Sequence, residues 1–247
     1  MKESKTENKT VNSSNNLNSE QIENRINLER VLSICANLFK EIKYGLLQVF
    51  VGRNARICVQ TALKEQKNLS VFKPSNEIEA VLKDPSYIWE HLATLHMLTV
   101  ELNLKTVLEL GTAEGKSTVV FLYAARQLGG RTFSIDIDPC KEAQAIIKKH
   151  ALDDRWTFIC DNDLQVAWNQ TIDHLFIDTS HEYEHTLREL QKYEPYVRDG
   201  GIITLHDIVS FPDVMVAITE YLTNRNDLRL YKYLHNNGLA VIFKGHN

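Results

Sequence analysis

Apolar positions follow two different rhythms along this chain, and the change falls near residue 105. Before it, they recur at helical spacing. Leu28, Val31, Cys35, Leu38 and Ile42 step by three and four, which aligns them along one helix face. Asn18 with Gln21 stands ahead of them at capping-box spacing, and Asn76 with Glu79 repeats that signal before Ile78, Val81 and Leu82. Asp84-Pro85 interrupts this segment, because a residue before proline avoids the α region. Residues 50–73 are ambiguous apart from a helical stretch at Arg56–Gln66, and a further helix spans about Ser86 to Leu102.

Beyond residue 105 short apolar runs alternate with helix-length segments. The runs are Val107–Leu110, Thr132–Ile135, Thr157–Ile159, His174–Ile177, Gly201–Leu205, Arg229–Leu234 and Leu239–Phe243. Helical spacing fits Ser117–Leu128, Lys141–His150, Tyr183–Tyr193 and Asp213–Asn224. Five apolar strands separated by helices imply parallel pairing through right-handed crossovers. Only His235-Asn236-Asn237-Gly238 joins the last two strands, a hairpin connection that makes one of them antiparallel. The expected fold is α/β, a doubly wound, seven-stranded, mostly parallel sheet with an N-terminal helical cap. Its parts would be a polar leader at residues 1–18, disordered in isolation, then the cap at 19–102 and the α/β domain at 103–247.

The first strand carries the most informative stretch, T-V-L-E-L-G-T-A-E-G-K-S from Thr106 to Ser117. A buried strand, a turn at Gly111 and Gly115, and a helix start form a nucleotide-binding corner. The dinucleotide pattern G-x-G-x-x-G fails here, since Ala113 and Lys116 hold its second and third glycine positions. Glu109, two residues before Gly111, is a poor neighbour for pyrophosphate and a good one for a cationic amino-acid ligand. The corner nominates Glu109, Gly111, Thr112, Gly115 and Ser117 as ligand contacts.

Charge and composition narrow the partners. A net charge of -4 argues against a general nucleic-acid binder, which needs a basic surface. The longest apolar-rich run, Gly45 to Val51, is far below the roughly 20 residues that span a membrane. Residues 1–20 hold only Met1, Val11 and Leu17 as apolar side chains, unlike a signal peptide. Cys35, Cys58, Cys140 and Cys160 are scattered without a C-x-x-C, as suits reduced thiols in a cytoplasmic protein.

In an open α/β sheet ligands bind beyond the carboxyl ends of the strands. Asp136 ends the second strand, where a carboxylate accepts ribose hydroxyls; Asp138, before Pro139, is better explained as a solvated or capping residue. Asp161, ahead of Asp163, is placed to accept from an adenine amino group. Asp178 stands at the tip of strand four with His181 three residues on, and His206-Asp207 stand at the tip of strand five. Two carboxylates with one or two imidazoles at neighbouring tips can hold Mg²⁺, Mn²⁺ or Ca²⁺.

V-L-E-L-G-T-A-E-G-K-S, S-I-D-I-D-P, F-I-D-T-S-H-E-Y-E and V-R-D-G-G-I-I-T-L-H-D-I, in this order, resemble the class I S-adenosylmethionine (SAM) methyltransferases. The group is the one that contains macrocin O-methyltransferase and the cephalosporin-hydroxylase-like proteins, and the likeness spans roughly residues 86–245. The resemblance implies a Rossmann-like fold, SAM as methyl donor and, as in metal-dependent members, a Mg²⁺-type ion. It implies a first metal ligand at Asp178, further ligands at His206 and Asp207, and a catalytic base at His181. His206-Asp207 replaces the acidic or Asp-Asn pair of better-known metal enzymes, and Thr179-Ser180 stand where relatives carry Gly and an acidic or small residue. The function so implied is O-methylation of a small-molecule hydroxyl, on a sugar or natural product. Alternatives are metal-free N- or carboxyl-methylation and a non-catalytic SAM-binding scaffold; a nicotinamide oxidoreductase is disfavoured by the missing glycines. The Leu28–Ile42 face makes a homodimer through the N-terminal helices reasonable.

Overall fold

The computed structural model describes Val81 and residues 86–245 of the 247-residue chain. The leader, the Leu28–Ile42 face with its implied dimer, both capping boxes and the Arg56–Gln66 helix lie outside the described residues. Helix α1 spans Trp89–Glu101 and feeds strand β1 (Thr106–Leu110). There follow α2 (Lys116–Leu128), β2 (Arg131–Asp136), α3 (Lys141–Lys149), β3 (Trp156–Cys160) and β4 (Ile172–Ile177). The chain ends with α4 (Tyr183–Tyr193), β5 (Val197–His206), α5 (Pro212–Tyr221), β6 (Leu228–Tyr233) and β7 (Leu239–Lys244).

The seven strands form one sheet in the order β3-β2-β1-β4-β5-β7-β6. β1 to β5 pair in parallel, and β7 runs antiparallel to both β5 and β6, as the short hairpin connection requires. From β1 the chain winds outward through β2 and β3, then returns to place β4 on the other side of β1. That reversal opens a crevice between the carboxyl ends of β1 and β4.

Alternation along each strand separates two cores. Val107, Phe176 and Ile202 face one side and pack with Leu92 and Leu95 of α1, Val119 and Leu122 of α2 and Ile147 of α3. Leu108, Leu110, Leu175, Ile177 and Leu205 face the other side, under Leu190 of α4 and Val214 and Ile218 of α5. His174 interrupts the apolar pattern of β4 on the α1–α2 side. It is fully buried, with Nδ1 2.9 Å from Thr99 Oγ1 and Nε2 2.8 Å from Thr204 Oγ1. Burial pushes its pKa down to about 3, so it is a neutral link between α1 and the sheet.

Most boundaries differ from the sequence pattern by one to three residues, and two of the differences have a clear cause. β5 begins at Val197 rather than Gly201, because Val197 pairs with Ile172 across a register shift and Arg198 is held by Asp173. α5 stops at Tyr221 rather than Asn224; Asn224 is left-handed (φ 65°), and Arg225 turns back to Glu194 and Asp227. No described helix is long and apolar enough to cross a membrane.

Candidate active site

A cavity of about 410 Å³ opens at the carboxyl ends of β1 to β4, lined among others by Gly111, Asp136, Ile137, Asp161, Asp178 and His185. The volume suits a nucleoside-sized ligand. Gly111 makes its floor possible. Its φ is +84°, and a Cβ there would sit 2.0 Å from the Asp178 carbonyl oxygen, so only glycine lets the β1 turn lie against the β4 tip. At Gly115 (φ +80°) a Cβ would meet that of Ala143 at 2.7 Å, so this glycine brings the start of α2 close to α3.

Asp136 ends β2 on the cavity wall. Its Oδ2 accepts the N–H groups of Thr112 (2.7 Å) and Ala113 (3.1 Å), and its Oδ1 accepts that of Asp138 (2.9 Å). Burial alone would raise this carboxyl, but the backbone donors outweigh it and hold the pKa below the usual carboxylate range. Three donors leave one of its roughly four lone-pair sites for a ligand hydroxyl. Beside it Ile137 is 71% exposed, an apolar side chain standing in the cavity. Asp161 is exposed on the same wall, with its N–H on the Asp136 carbonyl and its Oδ1 accepting from the Asn162 N–H.

Glu109 takes a different part from the ligand contact expected of it. It alternates with Leu108 and Leu110 along β1, so it points beneath α2 and is fully buried, away from the cavity lining. Its Oε1 accepts from Ser117 Oγ (2.6 Å), and its Oε2 accepts from Thr118 Oγ1 (2.7 Å) and Ser134 Oγ (2.6 Å). Burial, only partly offset by the three hydroxyls, raises its pKa to about 7. Ser117 is thereby engaged as a support of Glu109, and Thr112 acts through its backbone N–H on Asp136. Neither they nor Gly115 line the cavity; Gly111, Asp136 and Asp161 do.

The tips of β4 and β5 bring together the other nominated residues. His181 Nε2 lies 3.1 Å from Asp178 Oδ1 and 2.9 Å from Asp207 Oδ2. His206, buried at the end of β5, has Nδ1 3.5 Å from both carboxylates and Nε2 3.3 Å from the Asn236 carbonyl. At 3.5 Å these are charge contacts rather than hydrogen bonds. Burial alone would lower both imidazoles, but the two carboxylates raise each to about 9. The same pairing depresses Asp178 and Asp207 against the effect of their own burial. His181 (φ 58°) and Asp207 (φ 63°) are left-handed, an uncommon conformation for non-glycine residues that here aims both side chains into one place. The ring of Phe211 stacks on His181 at 4.4 Å and 11°.

One atom of each of Asp178, His181 and Asp207 lies within 4.8 Å of the others, a spacing that fits a cation. Asp207 Oδ1 is buried without a hydrogen-bond partner, which leaves acceptor capacity on a carboxylate of this cluster. Two carboxylates with imidazole suit Mg²⁺ or Mn²⁺.

A second cluster was not legible in the sequence. His185 Nε2 is 3.0 Å from Asp163 Oδ2 and 3.6 Å from Glu189 Oε1, and Thr179 Oγ1 donates to Glu189 Oε1 at 2.8 Å. Burial and the nearby Asp163 carboxylate push Glu189 well above the usual range. His185 and Glu189 are four apart on α4, and an H-x-x-x-E search along that helix was the signal that would have found them.

Residues 108–208 match the sequence profile of a family described as a methyltransferase domain. Among solved structures the chain is similar to an O-methyltransferase from Bacillus cereus in complex with SAH, at 16% identity and a TM-score of 0.56, covering 77% of this chain and 100% of that one. It is also similar to an SAH-bound methyltransferase from Podospora anserina, at 13% identity and a TM-score of 0.56, covering 76% and 96%. A third is the O-methyltransferase TomG of Streptomyces achromogenes, involved in tomaymycin synthesis and solved with SAM, at 13% identity and a TM-score of 0.53, covering 78% and 99%. At these identities the likeness establishes the fold. With the crevice at the β1–β4 reversal and the matched domain on the same strands, the described residues have the class I methyltransferase fold.

Proposed function

We propose that this protein transfers a methyl group from SAM to a hydroxyl oxygen of a small molecule, assisted by a divalent cation. The observation that carries the reading is the convergence of Asp178 and Asp207, from adjacent strand tips, on His181 at the edge of a nucleoside-sized cavity. The solved neighbours named above, two of them O-methyltransferases, were captured with SAM or SAH in the same fold.

In this reading the Gly111 turn admits the methionine part of SAM, the free acceptor site of Asp136 takes a ribose hydroxyl, and Ile137 covers the adenine face with Asp161 at its amino group. Asp178, Asp207 and His206 would hold the cation, which would lower the pKa of the acceptor hydroxyl and offset the charge of the carboxylates. With the carboxylates engaged by the cation, the His181 pKa would fall from about 9 and its Nε2 would be free to take the hydroxyl proton. The oxygen then forms its bond to the methyl carbon as the carbon–sulfur bond breaks, and that electron pair stays on the thioether sulfur. Such an in-line displacement needs alignment above all, and a site built on strand tips supplies it. Phe211 orients the His181 ring, and Val209 and Phe211, both partly exposed, offer apolar surface to the acceptor.

A metal-free route is the second reading: the direct contact of His181 with both carboxylates orients its ring without an ion, and with a pKa of about 9 such a base would make turnover rise with pH toward 9. Chelation separates the two. EDTA should abolish SAH release in an acceptor panel while calorimetric SAM binding persists, Mg²⁺ or Mn²⁺ should restore turnover, and Asp178→Asn should behave like chelation. Full turnover in excess EDTA removes the cation from the mechanism and leaves His181 as base.

A further inference from the structure

We propose that Asp163, His185 and Glu189 form a second divalent-cation site, of the zinc class, in the wall of the cavity and distinct from the strand-tip carboxylates. It does not rest on the methyl-transfer reading. One ligating atom from each residue lies within 4.8 Å of the other two. Glu189 is fully buried, and its Oε2 has no hydrogen-bond partner. No donor from the protein meets this oxygen; a proton shared with the Asp163 carboxylate or a cation bound between the three side chains must satisfy it, and the cation would take the proton's place.

The surroundings are those of a built site. Thr179 Oγ1 donates to Glu189 Oε1 and fixes the carboxylate, the outer-shell support that ligating carboxylates usually have. Lys192 Nζ (2.6 Å) and Tyr193 OH (2.5 Å) both donate to the Asp163 carbonyl, so the loop after β3 is anchored to α4 on the side away from the ligating atoms. His185 and Glu189 stand one turn apart on α4 and present their ligating atoms together. One imidazole and two carboxylates are also the donors of the strand-tip cluster, but here the full burial of Glu189 leaves little room for the waters that Mg²⁺ keeps, which favours Zn²⁺, whose charge the two anionic oxygens balance. Asp163 and His185 both line the cavity, so a fourth position faces solvent or a bound ligand, as in open zinc sites.

Zinc titration of the metal-stripped full chain, with neither SAM nor acceptor present, tests this. Calorimetry with Zn²⁺ and visible absorption with Co²⁺ would be run on the wild type and on Glu189→Gln, His185→Gln, Thr179→Val and Asp207→Asn. The expected result is loss of the site in Glu189→Gln and His185→Gln, a weakening of about 10–100-fold in Thr179→Val, and an unchanged site in Asp207→Asn. His185 is partly exposed, so its substitution reports even where Glu189→Gln fails to fold. Because the strand-tip cluster can also take up zinc, the number of sites decides: an undiminished number of zinc sites in His185→Gln, or zinc binding that vanishes altogether in Asp207→Asn, overturns the assignment. Neither result depends on how turnover responds to EDTA.

Discussion

Replacing Glu109 by Gln isolates the titration of one buried carboxyl. The folded protein holds this group at a pKa of about 7, against 4.5 in the unfolded chain, because burial removes its water and three hydroxyls replace that water only in part. Below pH 4.5 both states carry the proton, and Glu109 adds no pH dependence. Between 4.5 and 7 the unfolded chain has released it while the folded chain keeps it, so stability falls as pH rises through this window. A difference of about 2.5 units at 1.36 kcal/mol each gives a loss of about 3 kcal/mol, complete above about pH 7. Gln has no proton to release. Urea unfolding of both proteins in steps from about pH 4.5 to 8 measures the effect, and groups common to both cancel in the difference. The stability of the wild type relative to the variant should drop by about 3 kcal/mol across the window. A difference that stays flat, or that grows with pH, would refute the claim that Glu109 sits under α2 with a raised pKa.

Other perturbations test the cavity and the reacting centre. Asp136→Ala removes a charge-assisted acceptor worth about 1.5–3 kcal/mol, so SAM affinity measured by calorimetry should fall roughly 10- to 150-fold; unchanged affinity removes the ribose assignment. Gly111→Ala must accommodate φ +84° and a Cβ 2.0 Å from the Asp178 carbonyl. The backbone conformation alone costs about 1–2 kcal/mol, so the melting temperature and SAM affinity should fall together, and wild-type values for both would contradict the close approach. His181→Ala should keep SAM binding and slow turnover about 10²- to 10⁴-fold; normal turnover would remove it as the base. In metal-free protein the His181 imidazole should titrate near 9 by NMR and shift downward when Mg²⁺ is added, and a titration indifferent to Mg²⁺ would place the ion elsewhere.

The parallel sheet was legible because buried strands read as apolar runs, and the tip residues followed from the rule that ligands sit at carboxyl ends. Asp136 is the last residue of β2, and Asp178 and Asp207 each follow the last residue of β4 and β5, strands whose carboxyl ends the pattern marked closely. What the pattern left out was direction. Reading Glu109 as a ligand contact at the strand end overlooks its place between Leu108 and Leu110, which assigns it to the opposite face of β1. The pairing of Asp163 with His185 and Glu189 depends on how α4 is rotated over the loop after β3, a tertiary relation with no local trace. The start of β5 was missed for a similar reason. Arg198 and Asp199 look like loop residues until Asp173, which also accepts the N–H groups of Lys105 and Thr106, is seen to hold Arg198 in place.

The segment from Asp178 to His185 ties these features into one device. Its first residue donates its N–H to the Leu110 carbonyl (2.9 Å), and its own carbonyl lies where a Gly111 side chain would be. The proposed seat for the methyl donor and the first carboxylate of the proposed reacting centre are therefore joined through backbone, with no flexible side chain between them. The next residue, Thr179, turns the other way and braces Glu189, while His181 returns to the carboxylates in a left-handed conformation. One loop thus faces two clusters on opposite sides, and a shift of α4 would move both. Acceptor choice need not disturb this frame. In the proposed reaction, exposed Val209 on the separate loop after β5 could be changed for a different acceptor while the strand tips keep the distance from donor to base fixed and Phe211 keeps the His181 ring in place.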